Sequence, residues 1–164
     1  MRARPATADD AAEIARAYNE GIADRVATFE TRPRSAEDVR GWFDGVHPAV
    51  VVEDGNDVIA FAVTSLYRPR DCYSGIAEVS VYVSRTARGR GAGRMALGAL
   101  LECARQAGYW KSVSRIFPEN QASRRLIRAL GFREVGTYEK HGKLDGAWRD
   151  VIIVERLIPE NLKT

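Results

Sequence analysis

The spacing of apolar and polar residues divides the chain into helical and extended stretches. Thr7-Ala8-Asp9-Asp10 is a capping-box-like start, and Ala11, Ile14, Ala15 and Tyr18 follow at helical spacing. Ser35-Ala36-Glu37-Asp38 opens a second, short helix carrying Val39, Trp42 and Phe43. Ala49 to Glu53 and Asp57 to Tyr67 read as strands joined at the turn signal Gly55-Asn56. Ile76 to Ser84 is a third strand. Strand side chains alternate, so Ala77, Val79, Val81 and Val83 share one face and Glu78, Ser80 and Tyr82 the other. A helix with Met95, Leu97, Leu100, Leu101 and Ala104 ends at Gly108. Val113 to Ile116 is extended and stops at Pro118. Asn120 caps a helix with Ala122, Leu126, Ile127 and Leu130, closed by Gly131. Phe132 to Tyr138 and Trp148 to Leu157 are two final strands. The sum is an α/β fold with roughly six or seven strands and about four helices, and its hairpins make the central sheet mixed and mostly antiparallel.

The length of 164 residues predicts one domain, 1–164, large enough to hold itself together without disulfides or metal. Hydrophobic residues at 45% and charged residues at 29% exclude a disordered tail, a coiled coil and a collagen-like chain. The longest strongly apolar run, Val58 to Val63, falls far short of the about 20 residues of a membrane span. Met1-Arg2-Ala3-Arg4-Pro5 has no apolar stretch behind its charges, so no secretory signal is expected. Two cysteines, Cys72 and Cys103, fit a reducing, cytoplasmic setting. His47 and His141 stand alone, and no Cys/His cluster has metal spacing, so no metal is expected.

The net charge of +3 says little, but its placement says more. Arg85, Arg88, Arg90 and Arg94 form one group, and Arg124, Arg125 and Arg128 a second. Such groups suit an anionic ligand, or are solvated helix faces. The first surrounds Gly89, Gly91 and Gly93, between a strand and a helix. Glycine lets the backbone come close to a ligand, and the helix start offers free N–H groups to a phosphate. Neither a Walker A loop nor a dinucleotide fingerprint is present, since no Lys-Ser or Lys-Thr follows and Arg94 stands where the last glycine belongs. An RNA-binding reading of Arg88-Gly89-Arg90-Gly91 predicts repetition, and the motif occurs once, so no nucleic-acid partner is expected. Glu78, on the polar stripe of a β-rich strand, is either solvent-facing or a site carboxylate.

Glu78 to Val83, then Arg88 to Gly93 as [RQ]-x-x-G-x-[GA], Asn120-Gln121-Ala122-Ser123 and Leu130-Gly131-Phe132 resemble the GCN5-related N-acetyltransferase (GNAT) superfamily over nearly the whole chain. Tyr18-Asn19-Glu20, Phe29-Glu30, Tyr67-Arg68-Pro69-Arg70 and Gly146-Ala147-Trp148-Arg149-Asp150 resemble its phosphinothricin and methionine sulfoximine N-acetyltransferase branch. That branch includes the arsinothricin N-acetyltransferases, which the chain looks very like. The resemblance implies a GNAT fold and an acetyl-CoA-dependent enzyme. Its reaction would acetylate the α-amino group of a toxic glutamate-like amino acid, conferring resistance. A homodimer with the substrate site near the subunit interface is implied, with no membrane partner. The alternative is the same chemistry on a protein N-terminus or another small amine.

Carried over by residue, the resemblance implies that Val81, Tyr82 and Val83 pair with the pantetheine arm. Arg88, Gly89, Arg90, Gly91, Ala92, Gly93 and Arg94 would hold the pyrophosphate, with Asn120 and Ser123 near the sulfur end. Substrate contacts would be Arg68, Arg70, Glu78 and Ser80, with Phe29, Glu30 and Tyr73. Glu78 is the expected base, since an ammonium must lose a proton before it attacks. An N–H on the Val81 strand is the expected oxyanion donor. Arginine forks at 68 and 70 match a doubly anionic substrate, or are simply two exposed loop arginines. Two positions depart from the family. Ile127 stands where many members have a tyrosine that protonates the leaving thiolate. Asp145 stands where phosphinothricin acetyltransferases have a histidine, so no histidine role is carried over.

Overall fold

In the computed structural model, which describes residues 1–163, β2 (Ala49–Asp54) and β3 (Asp57–Leu66) form the hairpin that the pattern predicts. Their two-residue turn has Gly55 at a φ of +62°. On one side β2 pairs with β1 (Arg2–Pro5), a short strand that the sequence pattern does not reveal. On the other side β3 pairs with β4 (Ile76–Val83). Then come β5 (Lys111–Ile116), β7 (Ala147–Leu157) and β6 (Arg133–Leu144), giving the order β1-β2-β3-β4-β5-β7-β6. All neighbours are antiparallel except β4 and β5. The sheet is therefore mixed and mostly antiparallel, as expected. Among the described residues no helix is long and apolar enough to cross a membrane.

Side-chain parity decides what covers each face. Val50, Val52, Ala60, Ala62 and Val79 pack against α3 (Ala92–Gln106) through Leu97, Leu100 and Ala96, joined by Ile127 of α4 (Gln121–Ala129). Val51, Val58 and Phe61 face the other way, onto Ile14 of α1 (Ala11–Asp24) and Val39 of α2 (Ala36–Arg40). Each fully buried Leu or Val contributes about 1.5–3 kcal/mol. Ser35 accepts from Asp38 N–H while the Asp38 carboxylate accepts from Ser35 N–H, so α2 starts in a true capping box.

Both terminal strands run beyond their expected bounds. β6 continues past Tyr138 to Leu144 and turns directly into β7. The turn is Asp145-Gly146, with φ of +50° and +80°, the geometry that favours Asp-Gly between paired strands. The position that departs from the family histidine is thus a turn residue, and its carboxylate pairs with Arg25 at 3.0 Å.

Candidate active site

The site begins where two neighbouring strands part. β4 and β5 pair only from Ile76↔Lys111 to Glu78↔Val113, yet they continue to Val83 and Ile116. Ser114 Oγ closes the vertex, donating to Val79 O at 2.8 Å. Ser84 N donates to Ile59 O, so the even-numbered residues of β4 direct their backbone groups at β3. By alternation Val81 and Val83 direct theirs into the opening. Val83 O accepts from Arg88 Nε at 3.3 Å, and Val81 has no strand beside it. A narrow cavity fills the opening, bordered by Val81, Ser114, Ile116, Ser123 and Ile127. Tyr82 borders the opening too, but its backbone pairs with β3, and its ring stacks on Phe61 at 5.4 Å and meets Tyr18 edge-on at 4.9 Å. Burial pushes its phenol well above the usual tyrosine range, so it stays neutral.

The glycine segment sits at the mouth of this opening. Gly89 and Gly91 have φ of +79° and +86°, and a Cβ at either would meet nothing within 4 Å. Gly91 is the N-cap of α3, and the first intrahelical bond runs from Met95 N to Gly91 O, which leaves the N–H groups of Ala92, Gly93 and Arg94 free. Gly93 serves packing instead, since a Cβ there would stand 3.2 Å from Val83. The surrounding arginines are mostly engaged. Arg85 and Arg88 share Asp24, at 2.8 and 2.7 Å, and Arg90 holds Asp54 at 2.6 Å. Arg94 is exposed and has no ion pair among the described residues. In the second group Arg124 grips Glu134 with both nitrogens, at 2.9 and 3.2 Å.

On the α1 side of the sheet two connected cavities, of about 550 and 300 Å³, share Glu78, Ser80, Tyr82, Arg115, Thr28 and Glu30. Glu78, 18% exposed, is not a free carboxylate. Arg115 of β5 donates to it from Nε at 2.9 Å and from Nη2 at 2.7 Å. Sequence reading missed Arg115, because the pairing joins residues 37 positions apart. Ser80 borders all three cavities, so it lies between the strand opening and the wider space. Phe29 packs edge-on against Phe117 at 4.8 Å, and Glu30 pairs with Arg34 at 2.8 Å. His141 borders the smaller cavity beside the Tyr138 ring.

Three expected substrate contacts are not brought into these cavities. Arg68 and Arg70 are exposed on the loop between β3 and β4, where Arg68 lies over the ring of its neighbour Tyr67 at 5.1 Å. Tyr73 meets Tyr67 edge-on in the same loop. The loop leaves the sheet at Leu66, which borders the larger cavity, and closes on itself through these aromatic contacts. Asn120 borders the narrow cavity, with its side-chain amide already bonded. Its Oδ1 caps α4 at Ser123 N, 3.2 Å, and its Nδ2 donates to Val26 O, 3.2 Å.

Residues 1–133 match the acetyltransferase (GNAT) domain family. This chain is a GNAT acetyltransferase. The acetyltransferase is 31% identical to a phosphinothricin N-acetyltransferase of Streptomyces coelicolor, covering 95% of each chain. It is 32% identical to an L-methionine sulfoximine/L-methionine sulfone acetyltransferase of Pseudomonas paraeruginosa, over 93% of this chain and 91% of that one. It superposes with a TM-score of 0.91 on the crystal structure of a GNAT superfamily phosphinothricin acetyltransferase from Sinorhizobium meliloti in complex with acetyl-CoA, 32% identical, covering 99% and 91%. The acetyl donor is acetyl-CoA. The acetyltransferase has the features that such a donor needs: an unpaired strand edge at Val81, open space over Gly89 and Gly91, and free N–H groups at the start of α3. Among the described residues no group of His, Cys, Asp and Glu is arranged to hold a metal.

Proposed function

We propose that the enzyme acetylates the α-amino group of a glutamate-like amino acid such as phosphinothricin or arsinothricin, removing its toxicity. One observation carries this reading: Glu78 and Arg115 lie side by side in a cavity next to the strand opening. A carboxylate beside a guanidinium matches a zwitterion, with the ammonium at Glu78 and the α-carboxylate at Arg115 Nη1, the nitrogen that Glu78 does not take.

Bound acetyl-CoA supplies the activated acetyl group that the amine nitrogen takes in exchange for the thiolate. Glu78 accepts the proton that the ammonium must lose. Val81 N–H, preorganised and facing the opening, donates to the carbonyl oxygen as charge builds there. Gly89 to Arg94 and the start of α3 hold the pyrophosphate. Ser123 borders the arm, and Asn120 fixes the end of α4 that borders it. Ile127 has no proton to give, so the leaving sulfur would take its proton from another group or from water. Phe29, Glu30 and Ser80 wall the substrate. Arg68, Arg70 and Tyr73 have no place in the cavity and are not given a substrate contact.

A homodimer belongs to the same proposal. Val135, Tyr138 and Trp148 leave large apolar side chains about half exposed on the β6–β7 hairpin. Two free thiols, Cys72 and Cys103, suit a cytoplasmic setting.

The test is thiol release from acetyl-CoA against phosphinothricin, arsinothricin, methionine sulfoximine, glutamate, a polyamine and a short peptide with a free N-terminus. Acidic toxic amino acids are expected to react fastest. A faster reaction with the polyamine or the peptide overturns the reading.

A further inference from the structure

We propose that His47, held by Asp44, is the second anion receptor of the larger cavity and takes the terminal acidic group of the amino-acid substrate. This rests on the reading above and adds the residue that selects the side chain. An amino acid with two acidic groups needs a polar partner at each end. Arg115 stands on the β5 side of the cavity and His47 on the β2 side. The other titratable groups facing His47 across it are Tyr18 of α1, Glu30 of the following loop, Asp44 of its own loop, and Glu78 and Tyr82 of β4. β2 and β3 present none.

Strand register places the two partners. Ala49, Val63 and Ser80 lie in line across β2, β3 and β4. Thr64 donates from both N and Oγ1 to Pro48 O, at 3.0 and 2.8 Å, which carries the alignment one step beyond β2. The next row on the same face is then His47, Ser65 and Glu78, since Ser65 pairs with Glu78. Two strand spacings put the His47 Cα about 10 Å from that of Glu78. With its amine at Glu78, the substrate's side chain crosses β3 past Ser65 and ends in front of His47.

The imidazole is built into place. Asp44 Oδ1 accepts from Val46 N and His47 N, each at 2.8 Å, and Oδ2 takes His47 Nδ1 at 2.5 Å. These bonds hold the Asp44 carboxyl far below the usual range, so the ring's partner stays anionic. Nδ1 therefore carries a hydrogen, and Nε2 is the ring nitrogen left for a ligand. The His47 side chain is 19% exposed. His141 is exposed and borders the other cavity.

The experiment compares phosphinothricin, whose tail is anionic, with methionine sulfone, whose tail is neutral, in wild type, His47→Gln, Asp44→Asn and His141→Gln. His47→Gln is expected to raise KM for phosphinothricin about tenfold or more, with kcat and the acetyl-CoA KM unchanged and methionine sulfone within about twofold. Asp44→Asn should move the same way by less. An unchanged phosphinothricin KM, equal loss for both substrates, or the loss appearing in His141→Gln overturns the proposal. Phosphinothricin binding, read from the His47 resonance, separates the two readings. A wild type that acetylates neither compound sinks the proposed function, and an unmoved resonance on binding sinks the His47 assignment.

Discussion

Replacing Glu78 by glutamine keeps the side chain's shape and removes its capacity to take a proton. Glu78 is 18% exposed and Arg115 is 56% exposed, so their ion pair is partly screened. Such a pair contributes no more than about 1 kcal/mol. For a chain of this size that is roughly 2–4 °C in Tm, so the variant should fold. Arg115 can still donate to the amide oxygen of the glutamine. The acetyl-CoA contacts at Val81 and Gly89 to Arg94 lie on the other side of the strand opening, and cofactor affinity should hardly change. The catalytic cost is larger. Losing a positioned general base removes about 10²-fold or more in kcat/KM at pH 7, which is about 2.7 kcal/mol. Steady-state thiol release from pH 6 to 9.5, with phosphinothricin varied, measures it. The deficit should shrink toward high pH, where more of the substrate amine arrives neutral. A variant with near-normal activity at pH 7 would refute the assignment, as would a deficit of constant size across the range. Loss of folding would instead make the Arg115 pair structural.

Gly91→Val places a branched side chain at a φ of +86°, a strained position, and over the phosphate cradle; acetyl-CoA affinity by calorimetry should fall about tenfold, or 1.4 kcal/mol, while circular dichroism stays native. Gly75→Ala should destabilise by about 1–3 kcal/mol in urea melts, because its Cβ would stand 1.9 Å from the Trp110 ring. Asp10 is buried and holds Arg4 at 2.8 Å, and that bond lowers its carboxyl below the ordinary 3.8. A depressed carboxyl contributes stability above its unfolded value and loses it as pH falls through the folded one. Acid melts should therefore show the wild type losing stability below about pH 4. Asp10→Asn should cost on the order of 2 kcal/mol at pH 7, and much of that difference should be gone at pH 2.

Which residues share a face can be read along the chain. Alternation in Ile76 to Val83 separates Glu78, Ser80 and Tyr82 from the valines, and the sheet preserves this, because parity is local backbone geometry. The glycines at 89 and 91 were legible for the same reason, since positive φ is a property of single residues. The Asp145-Gly146 turn carried an equally local signal that the reading passed over. What crosses the chain was not legible. The β4–β5 opening exists because β5 joins β4 in parallel for three residues and then parts from it, which no local spacing encodes. Arg115 reaches Glu78 only through that pairing, and His47 joins their cavity only because three strands align. The placing of Arg68 and Arg70 was not legible either. Their spacing invited an anion, but a loop's course depends on what it packs against, and theirs closes over Tyr67 and Tyr73 outside the cavity. Charge type is written residue by residue, whereas which charges meet is set by strand order and register, and those are decided by burial of the whole sheet.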